Sequence, residues 1–210
     1  GCLAIDNLTE VVDGFAIQDE SRYYLGTFGA CNISHQGGAA SMGTPHGPAI
    51  QLLIAETCRQ AKVSPSSIDA VECNGEALLM NDAVECASEC KVLYGSGEGR
   101  PPLTLSAVKS NVGNGLQGSG MAQIMKMLYC QAHCFQVNGQ HLRCLTPQLD
   151  EIVRESVSFL DEKMPYATKT SLVGGFSAGW GGTMAFFIGS SGPDPNWMHP
   201  QTARPTAGDP

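Results

Sequence analysis

Three apolar runs, each closing on a polar or glycine-rich turn, constrain this chain more than any other feature. Ser67-Ile68-Asp69-Ala70-Val71-Glu72-Cys73 reads as a strand ending at Asn74-Gly75, a turn in which glycine tolerates positive φ. Asn81-Asp82 then predicts a helix start, because an Asn or Asp cap accepts bonds from the first free amides, and Ala83 to Ala87 with Leu93 and Tyr94 continue a helical period. A second strand, Leu103 to Val108, ends at Lys109-Ser110-Asn111, and Gly113, Gly115, Gly118 and Gly120 surround the start of an apolar helix from Met121 to Phe135. A third, Thr170 to Val173, runs into a turn from Gly174 to Thr183 and returns through Met184 to Ile188. Upstream, a strand is predicted near Tyr23–Cys31 and a helix near Pro48–Ala61; downstream, an amphipathic helix is predicted near Pro147–Leu160. Strands alternating with helices imply an α/β domain whose sheet is largely parallel and covered on both faces. Three polar strand ends then converge on one place.

These segments, in this order, resemble the C-terminal half of the β-ketoacyl synthases, the thiolase-like condensing enzymes of fatty-acid and polyketide synthesis. Val71 to Glu85 aligns without a gap with the family stretch V-E-A-H-G-T-G-T-x-L-G-D-P-I-E. Val108 to Lys126 follows V-K-S-N-I-G-H and its Gly/Ala-rich helix, including Ile124 and Lys126, and Ser177 to Phe186 resembles S-F-G-x-G-G-T-N-A-H. Weaker matches lie at Asp13-Gly14-Phe15 and at Pro45-His46-Gly47-Pro48-Ala49 before Val63-Ser64-Pro65. The resemblance covers nearly all of residues 1–189. It implies a thiolase-like half, a mixed and largely parallel five-stranded sheet with helices on both faces, and a first domain spanning 1–189.

The departures from the family pattern bear on function. In that family a cysteine nucleophile carries the acyl group while two histidines polarise the thioester carbonyl and assist decarboxylation. Both histidine positions are asparagine here, Asn74 and Asn114. One branch of condensing enzymes uses asparagine at the second position as an oxyanion donor. Asn74 replaces the histidine that both branches keep, and an amide does not titrate near neutrality. Lys109 is retained, but as an electrostatic remnant beside a missing imidazole. In the third motif the family asparagine is Met184, the family histidine is Phe186 and the gating phenylalanine is Ala178. The family's nucleophile sits upstream of the segment resembling residues 1–20, so no position corresponds to it. The resemblance leaves Gly181, Gly182 and Thr183 as substrate-binding candidates and Asn74, Lys109 and Asn114 as a degenerate catalytic set.

Cys73 adjoins Asn74, yet a buried cysteine ordinarily behaves as a small hydrophobe. Nine cysteines without a C-x-x-C pair fit reduced thiols of a cytoplasmic or plastid-like interior better than a disulfide framework. Cys86/Cys90 and Cys130/Cys134 each stand four apart on predicted helices, where Cβ atoms lie roughly 5–6 Å apart, beyond the ~3.8 Å a disulfide prefers. No second pair has zinc-site spacing, so core packing is the reading and neither a metal nor a cofactor is expected. His35, His46, His133, His141 and His199 match no family histidine and read as surface or loop residues. Asn7-Leu8-Thr9 and Asn32-Ile33-Ser34 fit the glycan acceptor pattern by coincidence in such a chain.

A net charge of −8 without a Lys/Arg cluster excludes a nucleic-acid surface, which needs phosphate-neutralising cations, and a basic patch for anionic lipid. No apolar run reaches the ~18 residues of a membrane span. From Gly189 prolines recur at 193, 195, 200, 205 and 210, predicting an extended tail over 190–210. A half of a two-half fold exposes an apolar face, and such faces mark interfaces. The expectation is therefore a ketosynthase-derived, catalytically inactive structural subunit whose partners are other protein chains, contacted through that face and through Gly189 to Pro210. Two further readings stay open: a synthase half completed by another chain, and a module that holds acyl carrier protein or an acyl thioester without reacting.

Overall fold

The computed structural model describes residues 3–7, 9–13, 15–18, 24–95, 101–140, 142–153, 157–165 and 172–191. The predicted tail beyond Ser191 and the start of the third predicted strand, Thr170-Ser171, lie outside the described residues.

The elements in chain order are β1 (Thr9–Val12), β2 (Phe15–Gln18), β3 (Gly26–His35), α1 (Gly47–Ala61), β4 (Ile68–Glu72), α2 (Leu79–Glu89), β5 (Leu103–Ser106), α3 (Lys109–Val112), α4 (Ser119–Ala132), β6 (Phe135–Gln136), α5 (Pro147–Val153), β7 (Val157–Phe159), β8 (Met164–Pro165), β9 (Leu172–Ala178) and β10 (Thr183–Ser191). A six-stranded sheet has the order β3-β10-β9-β4-β5-β7. Only β10 runs against the others: it pairs antiparallel with β3 and β9, whereas β9, β4, β5 and β7 are parallel neighbours. The fold is thus the expected thiolase-like α/β type, with one strand more than the five implied by resemblance.

The extra strand is β7, which falls where an amphipathic helix to Leu160 was expected. Pro147–Val153 is helical, but Val157 and Phe159 alternate with Ser158 at the two-residue period of a strand and pair with Leu103 and Leu105 of β5. A branched and an aromatic side chain suit a pleated, half-buried surface better than a helix turn.

The sheet separates two apolar layers. On one face Ile50, Leu53, Ile54 and Cys58 of α1 pack with Phe176, Phe186 and Ile188. Their spacing is that of one helix face. Pro48 opens α1, and Lys62, in the left-handed region at φ 57°, ends it by donating its amide to Arg59 and Cys58 carbonyls. On the other face Met127 and Leu128 of α4 meet Ala70, Val173 and Phe187. Alternation along β10 sends Phe186 to one layer and Phe187 to the other.

Gly174 and Gly175 belong to β9 and not to the predicted turn. A Cβ on Gly174 would stand 2.5 Å from the Phe186 ring, and one on Gly175 would stand 2.1 Å from the Phe187 ring. The glycines are strand residues because two phenylalanine rings of β10 lie over them. The polar turn begins only after Ala178.

Candidate functional site

The carboxyl ends of the parallel strands β4, β5 and β9 meet, the usual position of a site in an open α/β sheet. Gln123 of α4, fully buried, ties two of these ends by donating its Nε2 to the Cys73 and Phe176 carbonyls, each at 2.9 Å. Beneath them Lys126 of α4 pairs with Glu72 at 2.9 Å, both nearly excluded from water. Glu72 also accepts from Ser106 Oγ at 2.7 Å and from the Val108 amide, so one carboxylate holds the ends of β4 and β5 together.

Asn74 leaves β4 buried, with 3% of its surface exposed, and its carboxamide oxygen and nitrogen each have a partner. Its Oδ1 accepts from Lys109 Nζ at 2.9 Å and its Nδ2 donates to Glu76 at 3.2 Å. The backbone amides of Asn74 and Gly75 both donate to Glu85 of α2, at 2.5 and 3.2 Å. Gly75 is required here: its φ is +51°, and a Cβ would meet that of Ala107 at 2.8 Å.

Asp82 does not cap α2, which starts earlier, at Leu79. Its Oδ1 instead accepts the Glu76 amide at 3.1 Å and so fixes the loop that precedes the helix. The helix beginning expected at Met121 likewise starts at Ser119, and ends at Ala132 because Cys134 takes a positive φ of 51°.

Asn114 lies apart from Asn74. Exposed, it turns its Oδ1 back on its own loop, accepting from the Leu116 amide at 3.0 Å and from Ser119 Oγ at 3.2 Å. That is an Asx turn stabilising the approach to α4. Lys109 and Asn114 nevertheless line one cavity of about 470 Å³ together with Ser110, while Asn74 lines a separate one of about 60 Å³. The smaller volume admits a few waters only. Met184 and Phe176 border it, and Met42, Leu78 and Trp180 form an exposed apolar rim, 70%, 50% and 75% accessible.

Gly181 and Gly182 lie in the β9–β10 turn, and Thr183 opens β10. The Gly182 amide donates to the Gly179 carbonyl at 2.9 Å, and the Gly182 carbonyl accepts from the Gln36 amide at 2.9 Å. Gly182 has φ +85° and abuts the Gln36 side chain, so the turn demands glycine there. His35, exposed as expected, braces this turn. It accepts the Gly37 amide at Nδ1, which leaves Nε2–H to donate to the Gly181 carbonyl at 2.7 Å. Neighbouring Gly179 and Trp180, rather than these three residues, line the small cavity.

Cys73 is buried as expected, but its surroundings are acidic. Its Sγ donates to Glu89 Oε2 at 3.3 Å, and Cys73, Glu85 and Glu89 bring one ligand-type atom each within 4.8 Å of one another. Burial raises the Glu85 carboxyl to about 8 against the pull of the two amides it accepts. Burial, then the neighbouring Glu85, lifts Glu89 well above the usual carboxylate range. Cys86, then burial, holds the Cys73 thiol well above its ordinary value. Sequence spacing misses this cluster because only Glu85 and Glu89 share an element. The one available signal is two glutamates a helical turn apart on the face that also carries buried Ala83 and Cys86. The eight described cysteines are all free thiols; Cys86, Cys90 and Cys130 are buried and Cys134 is exposed. Among the described residues no helix is long and apolar enough to cross a membrane.

With this geometry established, comparison with known proteins is informative. Residues 25–142 match the profile of the family described as beta-ketoacyl synthase, C-terminal domain. The spectinabilin polyketide synthase system protein NorA of Streptomyces orinoci is 28% identical over 177 residues, 80% of this chain and 9% of that protein. Chalcone synthase cfoA of Aspergillus candidus is 26% identical over 194 residues, 86% of this chain and 7% of that protein. The non-reducing polyketide synthase dpmpA of Macrophomina phaseolina is 30% identical over 148 residues, 69% and 7%. The chain therefore spans less than a tenth of the length of these relatives. Among solved structures, the ketosynthase from module 6 of the Bacillus subtilis bacillaene synthase superposes with a TM-score of 0.76 at 20% identity, over 81% of this chain and 31% of that one. The oxazolomycin ketosynthase domain KS7 of OzmH from Streptomyces albus gives 0.75 at 21%, over 82% and 32%.

Proposed function

The chain belongs to the β-ketoacyl synthase C-terminal domain family, and from that premise we propose that it is a catalytically inactive ketosynthase-like subunit that acts by contact within a larger protein assembly. The observation that carries this reading is the state of Asn74. At the position of the family's shared histidine stands a carboxamide whose oxygen already holds Lys109 and whose nitrogen already holds Glu76. Such a group neither gives nor takes a proton near neutral pH, and one of its two N–H donors is already committed to Glu76. Asn114, whose oxygen is fixed by its own loop, lines a different cavity from Asn74, so the two carboxamides do not face one site. Phe186, at the histidine position of the third motif, is wholly buried in the core.

Exposed apolar side chains support the assembly half of the reading. The chain aligns with about a third of the solved ketosynthase domains, 31% and 32% of their length. Met42, Leu78 and Trp180 make one candidate contact, and the exposed Val112 and Leu116 after β5 make another. The segment from Gly189 to Pro210 is a third. A companion polypeptide, neither nucleic acid nor membrane lipid, is the partner this acidic chain suits. The free thiols favour a reducing interior. Of the two compartments considered, the cytoplasm is the better supported, since the relatives come from Streptomyces, Aspergillus and Macrophomina.

Size-exclusion chromatography of the purified chain with a hydrophobic dye tests the proposal. Dye binding and self-association of the isolated chain, both suppressed in the native complex, are expected. A dye-silent, well-folded monomer contradicts it. The cavity beside Lys109 and Ser110 supports a second reading, a module that holds a carrier-bound acyl group. Saturable binding of an acyl carrier protein without product would favour that module.

A further inference from the structure

Cys73 at the end of β4 and Glu85 and Glu89 on α2 converge in the interior, all three less than a tenth exposed. Three acids packed together in a core are costly whenever they ionise, because each charge is desolvated and repels the others. Glu72 is paired with Lys126, and Glu85 accepts two amides, so these carboxylates are accounted for. Glu89 is not. Wholly buried, it takes the Cys73 thiol on Oε2 and leaves Oε1 without a hydrogen-bond partner among the described residues. A buried oxygen of that kind calls for a ligand, since leaving it bare forfeits its solvation.

We propose that Cys73, Glu85 and Glu89 form a binding site for a thiophilic divalent cation of the zinc type. Sulfur among the donors selects against magnesium and calcium, which take all-oxygen shells. The spacing suits the ion. With Zn–S near 2.3 Å and Zn–O near 2.1 Å, tetrahedral ligands lie roughly 3.6 Å apart. Cys73 Sγ and Glu89 Oε2 already stand 3.3 Å apart, and all three donors lie within 4.8 Å of one another. Small side-chain movements close the rest. An entry route exists as well, because the 470 Å³ cavity is lined by Cys73 and Glu85, with Cys86 and Asp82 beside them.

Binding exchanges protons for metal: the thiol and whichever carboxyls are protonated release their protons to solvent, and the dication offsets two of the three negative charges of the thiolate and two carboxylates. The ion would join β4 to α2 behind Asn74 and fix the loop that carries it. No turnover is required of it.

Cobalt(II) serves as the probe, added to the purified full chain with its thiols reduced. One equivalent should bind, with a thiolate-to-cobalt charge-transfer band and release of protons. Zinc should displace the cobalt, and magnesium should not. Cys73→Ser and Glu89→Gln should each abolish the band, while Cys144→Ser, an exposed thiol, should leave it intact. X-ray absorption on the zinc-loaded chain gives a readout independent of whether the variants fold: one sulfur with oxygen neighbours is expected. Absence of stoichiometric cobalt binding, a band that survives both variants, or a zinc shell with three or four sulfurs would each overturn the site.

Discussion

Lys109 Nζ donates to Asn74 Oδ1 at 2.9 Å, so a cation here holds a neutral side chain in place. A hydrogen bond from a charged donor contributes roughly 1.5–3 kcal/mol, and Asn74 is buried at its end of the bond. Asn74→Ala should therefore lower stability by about 2 kcal/mol in urea unfolding. No loss would mean that Lys109 is held elsewhere.

Glu72 and Lys126 form the buried ion pair beneath that site, with side chains 4% and 9% exposed. Removing the carboxylate strands an ammonium and frees the Ser106 hydroxyl and the Val108 amide. Glu72→Ala should cost about 3–5 kcal/mol. Glu72→Ala with Lys126→Met should recover part of that loss, because no charge is then left buried. A double variant no more stable than the single one would contradict this account of the pair.

The metal-free chain should lose stability as pH rises. Glu85 has a folded pKa raised from 4.5 to about 8 by burial, and Glu89 is raised in the same direction. Below about pH 4.5 both states hold the proton and no difference arises. Between there and about 8 the unfolded chain ionises while the folded one does not, so the carboxyl's contribution is lost progressively as pH climbs through its folded value. Urea midpoints measured with a chelator present should fall across that window. A rising midpoint would refute the assignment.

Alkylation should sort the thiols by position. Cys134 and Cys144 are exposed, whereas burial raises Cys58 to about 11 and Cys90 to about 12. Under native conditions a mild alkylating reagent followed by mass spectrometry should modify the first pair and spare the second. Rapid labelling of Cys90 would show that the structure opens at the end of α2.

Much of the scaffold was legible because short-range chemistry announced it. The strand into Asn74-Gly75 and the strand into Lys109-Ser110 needed only apolar periodicity and a turn, and both stand where expected. The helix from Pro48 to Ala61 follows from a proline start and one apolar face. Gly174-Gly175 misled, since paired glycines signal a turn unless aromatic rings from another strand cover them. Val157–Phe159 was absorbed into a helix because three residues carry too little period to be read alone. The candidate site was legible as a set of replaced residues, but its wiring was not. Asn114 turned back to its own loop, Asp82 bound a loop instead of capping a helix, and Cys73 met Glu89 from 16 residues away. Each depends on where a side chain points, which spacing along the chain does not encode.

The central claim, that the condensing frame lacks working acid-base groups, is tested most directly by incubating the chain, alone and in its native complex, with a malonyl thioester and an acyl-loaded carrier protein while following carbon dioxide release and β-ketoacyl product. Rates indistinguishable from the protein-free blank, unchanged by Lys109→Ala, are the predicted result. Sustained product formation that disappears with Lys109→Ala would contradict it.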